Sequence, residues 1–439
     1  MSGLFWWENN MEDAELINEV SKLGECNIPS PLGGIQFVSD KEHVLFHSNL
    51  KEIKPFLDAG KVPPYFEVAG PRKKIYFDPS KLKCGIVTCG GLCPGLNDVI
   101  RSIVFSLFHH YGVRTVFGFR YGYEGLSYRY GHRPMELTPE IVGDIHEKGG
   151  TILGSSRGPQ EISEMVDTLE RMNVRILFTI GGDGTLRGAK AIAEEINRRN
   201  LKIGVIGVPK TIDNDISHVH QSFGFETAVS ESRKVISSAH TEAHGMRNGV
   251  GLVKLMGRRS GFIASYATLA NSEVNFCLVP EVDFGLDGFL NAMKERLEKR
   301  GHAVVVAGEG AGQGLMKATQ ERDASGNIRL GDIGIFLKDQ IKSYFNKAGI
   351  KVNLKYIDPS YIIRSLPANA HDSVLCLLLG HNAVHAGMAG RTNMVVGSWR
   401  NELIHLPIHL TVSKRKQIDP DGTLWSSVLA STGQPKNML

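Results

Sequence analysis

Gly181-Gly182-Asp183-Gly184-Thr185 sets three glycines around one carboxylate, between the apolar run Arg175–Ile180 and the amphipathic run Thr185–Arg199. A strand, a glycine-rich turn and a helix in that order aim backbone N–H groups at the sheet's ligand edge, where the positive helix end favours anions. Glycine at 181, 182 and 184 leaves room for a polyphosphate. A carboxylate beside bare phosphates would repel them, so Asp183 implies a bridging Mg2+. A plain turn capped by aspartate is the simpler reading, but capping does not call for three glycines. The next apolar run, Lys202–Val208, ends in Pro209-Lys210-Thr211-Ile212-Asp213-Asn214-Asp215. Asp213 and Asp215 stand two apart in an extended segment, so both can face one site. Phosphoryl transfer needs a base for the attacking hydroxyl, a metal, and cations for the transferring charge. Asp213, Asp215, Lys210 and Thr211 supply such parts. Asp and Asn also populate ordinary solvated turns, and the position directly after a strand favours chemistry.

Other segments imitate known chemistry. Cys89-Gly90-Gly91-Leu92-Cys93-Pro94-Gly95-Leu96-Asn97 lies between a strand and a helix, and reads equally as an anion loop or a tight turn. Gly204–Thr211 approaches a Walker A loop, but Pro209 has no N–H and the preceding residues form a strand. Gly154-Ser155-Ser156-Arg157-Gly158 matches a nucleophile elbow around Ser156 with only Thr151–Leu153 to serve as its strand. His240 and His244 stand one helical turn apart, and a solvated helix face accounts for them better than a metal pair.

The elements that must position these residues alternate in β-α-β order, which demands parallel sheets covered by helices. Strands are expected at Cys84–Cys89, Thr115–Phe119, Val250–Met256, Asn275–Pro280, His302–Ala307 and Val352–Ile357. Helices are expected at Gly95–His110, Glu161–Met172, Phe225–His240, Gly261–Leu269 and Ala370–Met388, with Asp287 and Asp332 at two further helix starts. The predicted architecture is two α/β lobes of parallel-sheet, three-layer, Rossmann-like form. Residues 1–80, rich in Pro and Gly, read as an N-terminal extension with an amphipathic stretch near Asp13–Leu23. The predicted boundaries are 81–228 plus about 368–410 for a nucleotide lobe, 229–367 for a sugar-phosphate lobe, and 411–439 as a C-terminal tail.

Composition narrows the classes. Of 439 residues, 42% are hydrophobic and 22% charged, a globular balance. The net charge of +4 is spread without a dense basic run, so nucleic acid is not an expected partner. No apolar run reaches the roughly 20 residues that cross a bilayer, so no membrane is expected. The acidic start lacks a signal or transit pattern, and the six irregularly spaced cysteines read as reduced buried thiols. Cytoplasm is the expected compartment.

The ordered set Gly90–Asn97, Gly181–Thr185, Pro209–Asp215, Met256-Gly257-Arg258, Pro280-Glu281, Gly308-Glu309-Gly310 and Lys355–Arg364 resembles the 6-phosphofructokinases over roughly residues 82–410. The wording of Lys355–Arg364 and the extension are most similar to the long ATP-dependent enzymes of plants and trypanosomatids. The resemblance implies ATP-dependent phosphorylation of fructose 6-phosphate in glycolysis, by an allosteric homotetramer or homodimer. It implies that Gly90, Gly181, Gly182, Gly184 and Thr185 line the ATP phosphates while Asp183 holds Mg2+. Asp213 would be the base on the sugar 1-hydroxyl, supported by Thr211 and Asp215, with Arg157 and Lys210 stabilising the moving phosphoryl group. Met256, Gly257 and Arg258 would cradle the sugar, Glu309 would bind its hydroxyls, and Lys355, Tyr361 and Arg364 would hold the 6-phosphate.

Two departures from the short bacterial members stand out: Gly249 replaces an arginine and Tyr361 a histidine, with Arg247 or a neighbouring subunit as substitutes. In this family an aspartate at the place of Gly184, with the lysine at 210, marks pyrophosphate users. Glycine at 184 therefore points to ATP, with pyrophosphate as the alternative donor. More remote alternatives are an NAD or diacylglycerol kinase sharing the glycine loop, a serine hydrolase using Ser156, and a non-catalytic regulatory subunit.

Overall fold

The computed structural model describes residues 20–317, 321–322 and 328–438, arranged as two compact units. The first comprises the chain to Lys210 with Ile216–Phe223 and Ser373–Lys414; the second comprises Thr211–Asp215, Gly224–Asp372 and Arg415–Leu439.

The first unit is built on a nine-stranded sheet. Its middle is parallel, running Met394–Trp399, Gly204–Pro209, Ile176–Gly181, Lys83–Thr88, Thr115–Phe119. Every residue of Ile176–Gly181 and Gly204–Pro209 is buried, as a sheet covered on both faces requires. Antiparallel strands finish the edges: Met135–Glu136 on one side, and Glu402–Pro407, Tyr65–Val68 and His43–Leu45 on the other. Part of the N-terminal extension is thus an integral edge of this sheet. Arg72 and Arg391, both nearly fully buried, clamp it there through Glu67 and Asp40. The predicted amphipathic stretch at 13–23 lies outside the described residues up to position 19; beyond it, Ser21–Lys22 pairs as a short strand with Arg391–Thr392.

The second unit has a four-stranded, wholly parallel sheet in the order Phe276–Leu278, His302–Gly308, Gly249–Leu255, Asn353–Ile357. Phe225–His244 and Phe262–Leu269 pack on it, and Leu286–Arg300 and Ile333–Lys347 join its core through Phe289, Met293, Leu337 and Phe345. The predicted α/β class with parallel sheets is the observed one. The units run differently from the boundaries drawn from sequence. Thr211–Asp215 and residues 224–228, expected in the nucleotide lobe, belong to the second unit, and so does Arg415–Leu439, expected as a tail. That segment is anchored by helix Thr423–Thr432, which packs on Phe262–Leu269, and by Gln434, whose side chain brackets the Cys277 backbone. Five of the six cysteines, all but Cys26, are buried.

Candidate active site

In the first unit, strand register assembles one cluster. Thr88 pairs with Ile180, and Pro209 pairs with Gly181, so Gly90, Gly182 and Lys210 all emerge at the same carboxyl edge. The helix begins at Asp183, two residues earlier than predicted, with Gly182 as an N-cap that offers no side-chain bond. The first-turn N–H groups therefore have no side-chain cap, the usual condition for an anion site. Gly181 is obligatory: a Cβ there would lie 2.1 Å from Thr185 Oγ1. Gly184 is the opposite case, since a Cβ there meets nothing within 4 Å. Asp183 sits in the first turn and pairs with Arg187 one turn on.

Lys210 is buried, and its Nζ donates to the Gly91 carbonyl at 2.5 Å. The Gly90 N–H is donated to the Ser156 carbonyl at 3.0 Å, so Gly90 serves this edge by its missing side chain and not by its amide. Arg157, on the same loop, is exposed. Ser156 gives its hydroxyl to the Tyr121 carbonyl at 2.7 Å, and Thr151–Leu153 is no strand, so no nucleophile elbow forms. The Walker-like stretch Gly204–Pro209 is strand throughout.

In the second unit, Thr211–Asp215 forms a tight polar turn. Thr211 Oγ1 accepts from the Asp213 N–H at 3.1 Å and donates to Asp215 at 3.3 Å. Asp215, buried, is paired with Arg415, and its carbonyl accepts from the Lys416 N–H at 2.9 Å. Ser260 fixes the Asp213 carbonyl. What remains is the Asp213 carboxyl, whose Oδ1 is buried and accepts no hydrogen bond among the described residues. Burial first, then the charges of Asp215 and Glu309, push its pKa well above the ordinary carboxylate range, against the pull of Arg415. Lys416 is lowered to about 8 by its own burial.

The parallel register pairing Leu255 with Gly308 sets the turn after each strand side by side. Gly257 takes φ +126°, open only to glycine, and accepts from Gly310 at 3.2 Å, while the Glu309 N–H donates to Leu255 at 2.9 Å. Met256–Arg258 and Glu309 are thereby brought together. Burial raises the Glu309 pKa, opposed by Arg258 and Lys254. The Arg364 guanidinium stacks 4.6 Å over the Tyr361 ring, which is largely exposed, and Lys355 lies 3.9 Å from Glu242.

Sequence reasoning missed Lys254, Arg415 and Lys416. Lys254 bridges Asp332 and Asp358, 2.8 Å to each, and so ties the Lys355–Arg364 segment to the central strand. A lysine within a run of buried strand residues was its visible signal. Arg415 had none, lying 200 residues from Asp215.

The glycine at 249 has a local cause. A Cβ there would lie 2.0 Å from the Ala243 carbonyl oxygen, so no side chain fits at this position. Gly249→Ala is expected to destabilise the protein by about 1–3 kcal/mol through overpacking, measurable as a lowered thermal midpoint. An unchanged midpoint would contradict the packing.

Known proteins match the chain over most of its length. The family model for phosphofructokinase fits residues 83–387. An ATP-dependent 6-phosphofructokinase from Borreliella burgdorferi is 49% identical over 434 residues, which is 96% of this chain and 97% of that protein. One from Trypanosoma cruzi is 47% identical over 395 residues, 89% of this chain and 81% of its own. The solved structure of a pyrophosphate-dependent phosphofructokinase from Marinobacter aquaeolei superposes with a TM-score of 0.65 at 18% identity, covering 81% of this chain and 92% of that one, and speaks for the fold alone. Fold and relatives define a phosphotransferase acting on a sugar hydroxyl. The chain belongs to the phosphofructokinase family.

Proposed function

We propose that this chain transfers the γ-phosphoryl group of ATP to the 1-hydroxyl of fructose 6-phosphate, with Mg2+, giving fructose 1,6-bisphosphate in glycolysis. The observation that carries the chemistry is the buried Asp213 carboxyl oxygen with no hydrogen-bond partner among the described residues; the substrates come from the names of the relatives. A base works best when its pKa lies near the working pH, and the surroundings of Asp213 push it upward in that direction.

Asp213 takes the 1-hydroxyl proton onto a carboxylate oxygen as the sugar oxygen bonds to the γ-phosphorus and the bond to the bridging oxygen of ADP breaks. Thr211, Asp215 and Arg415 hold that carboxylate in place. Lys210 and Arg157 meet the charge on the moving group. Gly90, Gly181, Gly182, Gly184 and Thr185 make the phosphate bed, the last through the uncapped start of its helix. Met256, Gly257, Arg258 and Glu309 hold the sugar, and Lys355, Tyr361 and Arg364 its 6-phosphate.

Asp183 suits Mg2+, because this hard ion uses one or two protein carboxylates and completes its shell with phosphate oxygens and water. The ion supplies charge neutralisation across the phosphate chain. The parts before Lys210 thus serve the nucleotide and those after Thr211 the sugar. We further assign the protein to the cytoplasm as a homotetramer or homodimer.

A coupled assay with fructose 6-phosphate, run with ATP and pyrophosphate side by side, tests the reading. Turnover with ATP and Mg2+ is expected; turnover with pyrophosphate alone would overturn the donor. Glu309→Gln removes one of the charges that raise Asp213. The acid limb of kcat/KM should then move to lower pH while the KM for sugar rises. An unmoved limb would separate Glu309 from the base.

A further inference from the structure

We propose that residues 415–418 form a strap that positions the reacting carboxylate, with Arg415 and Glu281 as the positioning residues at its two ends. The inference rests on the reading of Asp213 as the base and adds what holds that base. Pro280-Glu281 is also the one motif of the family set that the phosphotransfer scheme leaves without a role.

At one end the strap grips the turn that carries the base. The Arg415 guanidinium pairs with Asp215 Oδ2, and the next residue, Lys416, donates its N–H to the Asp215 carbonyl at 2.9 Å. Thr211 donates its hydroxyl to the other carboxylate oxygen, Oδ1, at 3.3 Å. Both oxygens of Asp215 are therefore engaged, and the side chain cannot swing without breaking a charge-assisted bond.

At the other end the strap grips the loop after Arg258. Gln417 donates a side-chain N–H to the Arg259 carbonyl at 3.0 Å, and the Ile418 N–H reaches Glu281 Oε1 at 3.0 Å. Glu281 also accepts from the Gly261 N–H, which lies 3.0 Å from each of its oxygens. One residue back, Ser260 donates to the Asp213 carbonyl at 3.2 Å. The contacts close a ring that runs from Asp215 through the strap, Glu281, Gly261 and Ser260 to Asp213. Charge is balanced across the same ring. Burial, Asp215 and Glu309 drive the Asp213 pKa up, while the Arg415 charge and a hydrogen bond from the Arg258 backbone draw it down. Both restraining influences come from the strap or from the loop it holds. Without them a buried carboxyl keeps its own proton and cannot take one from the sugar.

The test is the pH profile of kcat/KM for fructose 6-phosphate with ATP and Mg2+, measured on full-length proteins together with their thermal midpoints. Arg415→Ala should move the acid limb to higher pH and lower kcat on the order of a hundredfold at neutral pH, the effect of a misplacement of about 1 Å. The KM for sugar should change little. Arg415→Lys, which keeps the charge, should bring the limb most of the way back. A merely structural role would lower the midpoint and leave the limb where it is, and that result overturns the proposal. Glu281→Ala should raise the KM for sugar about tenfold, the lower end for a lost hydrogen bond to a charged group; unchanged kinetics would remove Glu281 from the strap. Should Arg415→Ala fail to fold, Arg415→Gln, which keeps a donor without the charge, reads the same limb. Asp213→Asn in the same assay separates the two readings. If it abolishes turnover while the limb of Arg415→Ala stays put, the strap alone fails; if it keeps turnover, the base fails and takes the strap with it.

Discussion

Asp213→Asn should lower kcat on the order of a thousandfold, the span of a lost general base, while fructose 6-phosphate binding changes little. The amide keeps the shape of the carboxylate and loses only its charge and its capacity to take a proton. The same substitution should make the protein more stable. The folded-state pKa of Asp213 is raised above the ordinary aspartate value of 3.8. A carboxylate with a raised folded pKa binds more protons folded than unfolded, so stability falls as pH climbs from about 3.8 through the folded pKa. Asn carries no such penalty. The thermal midpoint of the variant should exceed that of the wild type at pH 8, and the gap should close toward pH 4. A rate loss without this pH-dependent gain would mean that Asp213 is not held against Asp215 and Glu309 as described.

Gly184→Asp should cripple ATP use and spare the fold. A Cβ at 184 meets nothing within 4 Å, so the change adds a charge in open space at the start of the helix. Two like charges about 5 Å apart at an effective dielectric of 20 repel by roughly 3 kcal/mol. That predicts a rise of about a hundredfold in the KM for ATP. Pyrophosphate, which has no α-phosphate to meet the new carboxylate, should be affected less. Steady-state kinetics with each donor decides it, and an unchanged ATP KM would place the nucleotide elsewhere.

Most of the second unit's elements and the central strands of the first could be read from sequence within a residue or two. Their signals are local: largely apolar strands such as Ile176–Gly181 and the capping Asp332, whose carboxylate accepts from Ile335. The hairpin Met394–Trp399 to Glu402–Pro407 was not legible. Its turn, Arg400–Asn401, holds two non-glycine residues at positive φ, without the Asn-Gly signature that announces such turns. The extension's place in the sheet was hidden as well, because Tyr65–Val68 pairs with residues more than 300 positions away.

Within the candidate site, the residues that touch chemistry followed from type and spacing, while those that hold them did not. Arg415 reaches Asp215 from the far end of the chain, and Lys254 reaches Asp358 across a strand pair. Both contacts exist only once the sheet of the second unit and the C-terminal segment have folded together.

The central claim is that the Asp213 carboxyl meets the sugar hydroxyl that attacks ATP. A crystal structure of the Asp213→Asn protein with ATP, Mg2+ and fructose 6-phosphate measures this directly. The 1-oxygen should lie about 3 Å from the residue 213 side chain, within hydrogen-bond reach, with the metal beside Asp183. A 1-oxygen turned away from residue 213 and held by a different base would contradict it.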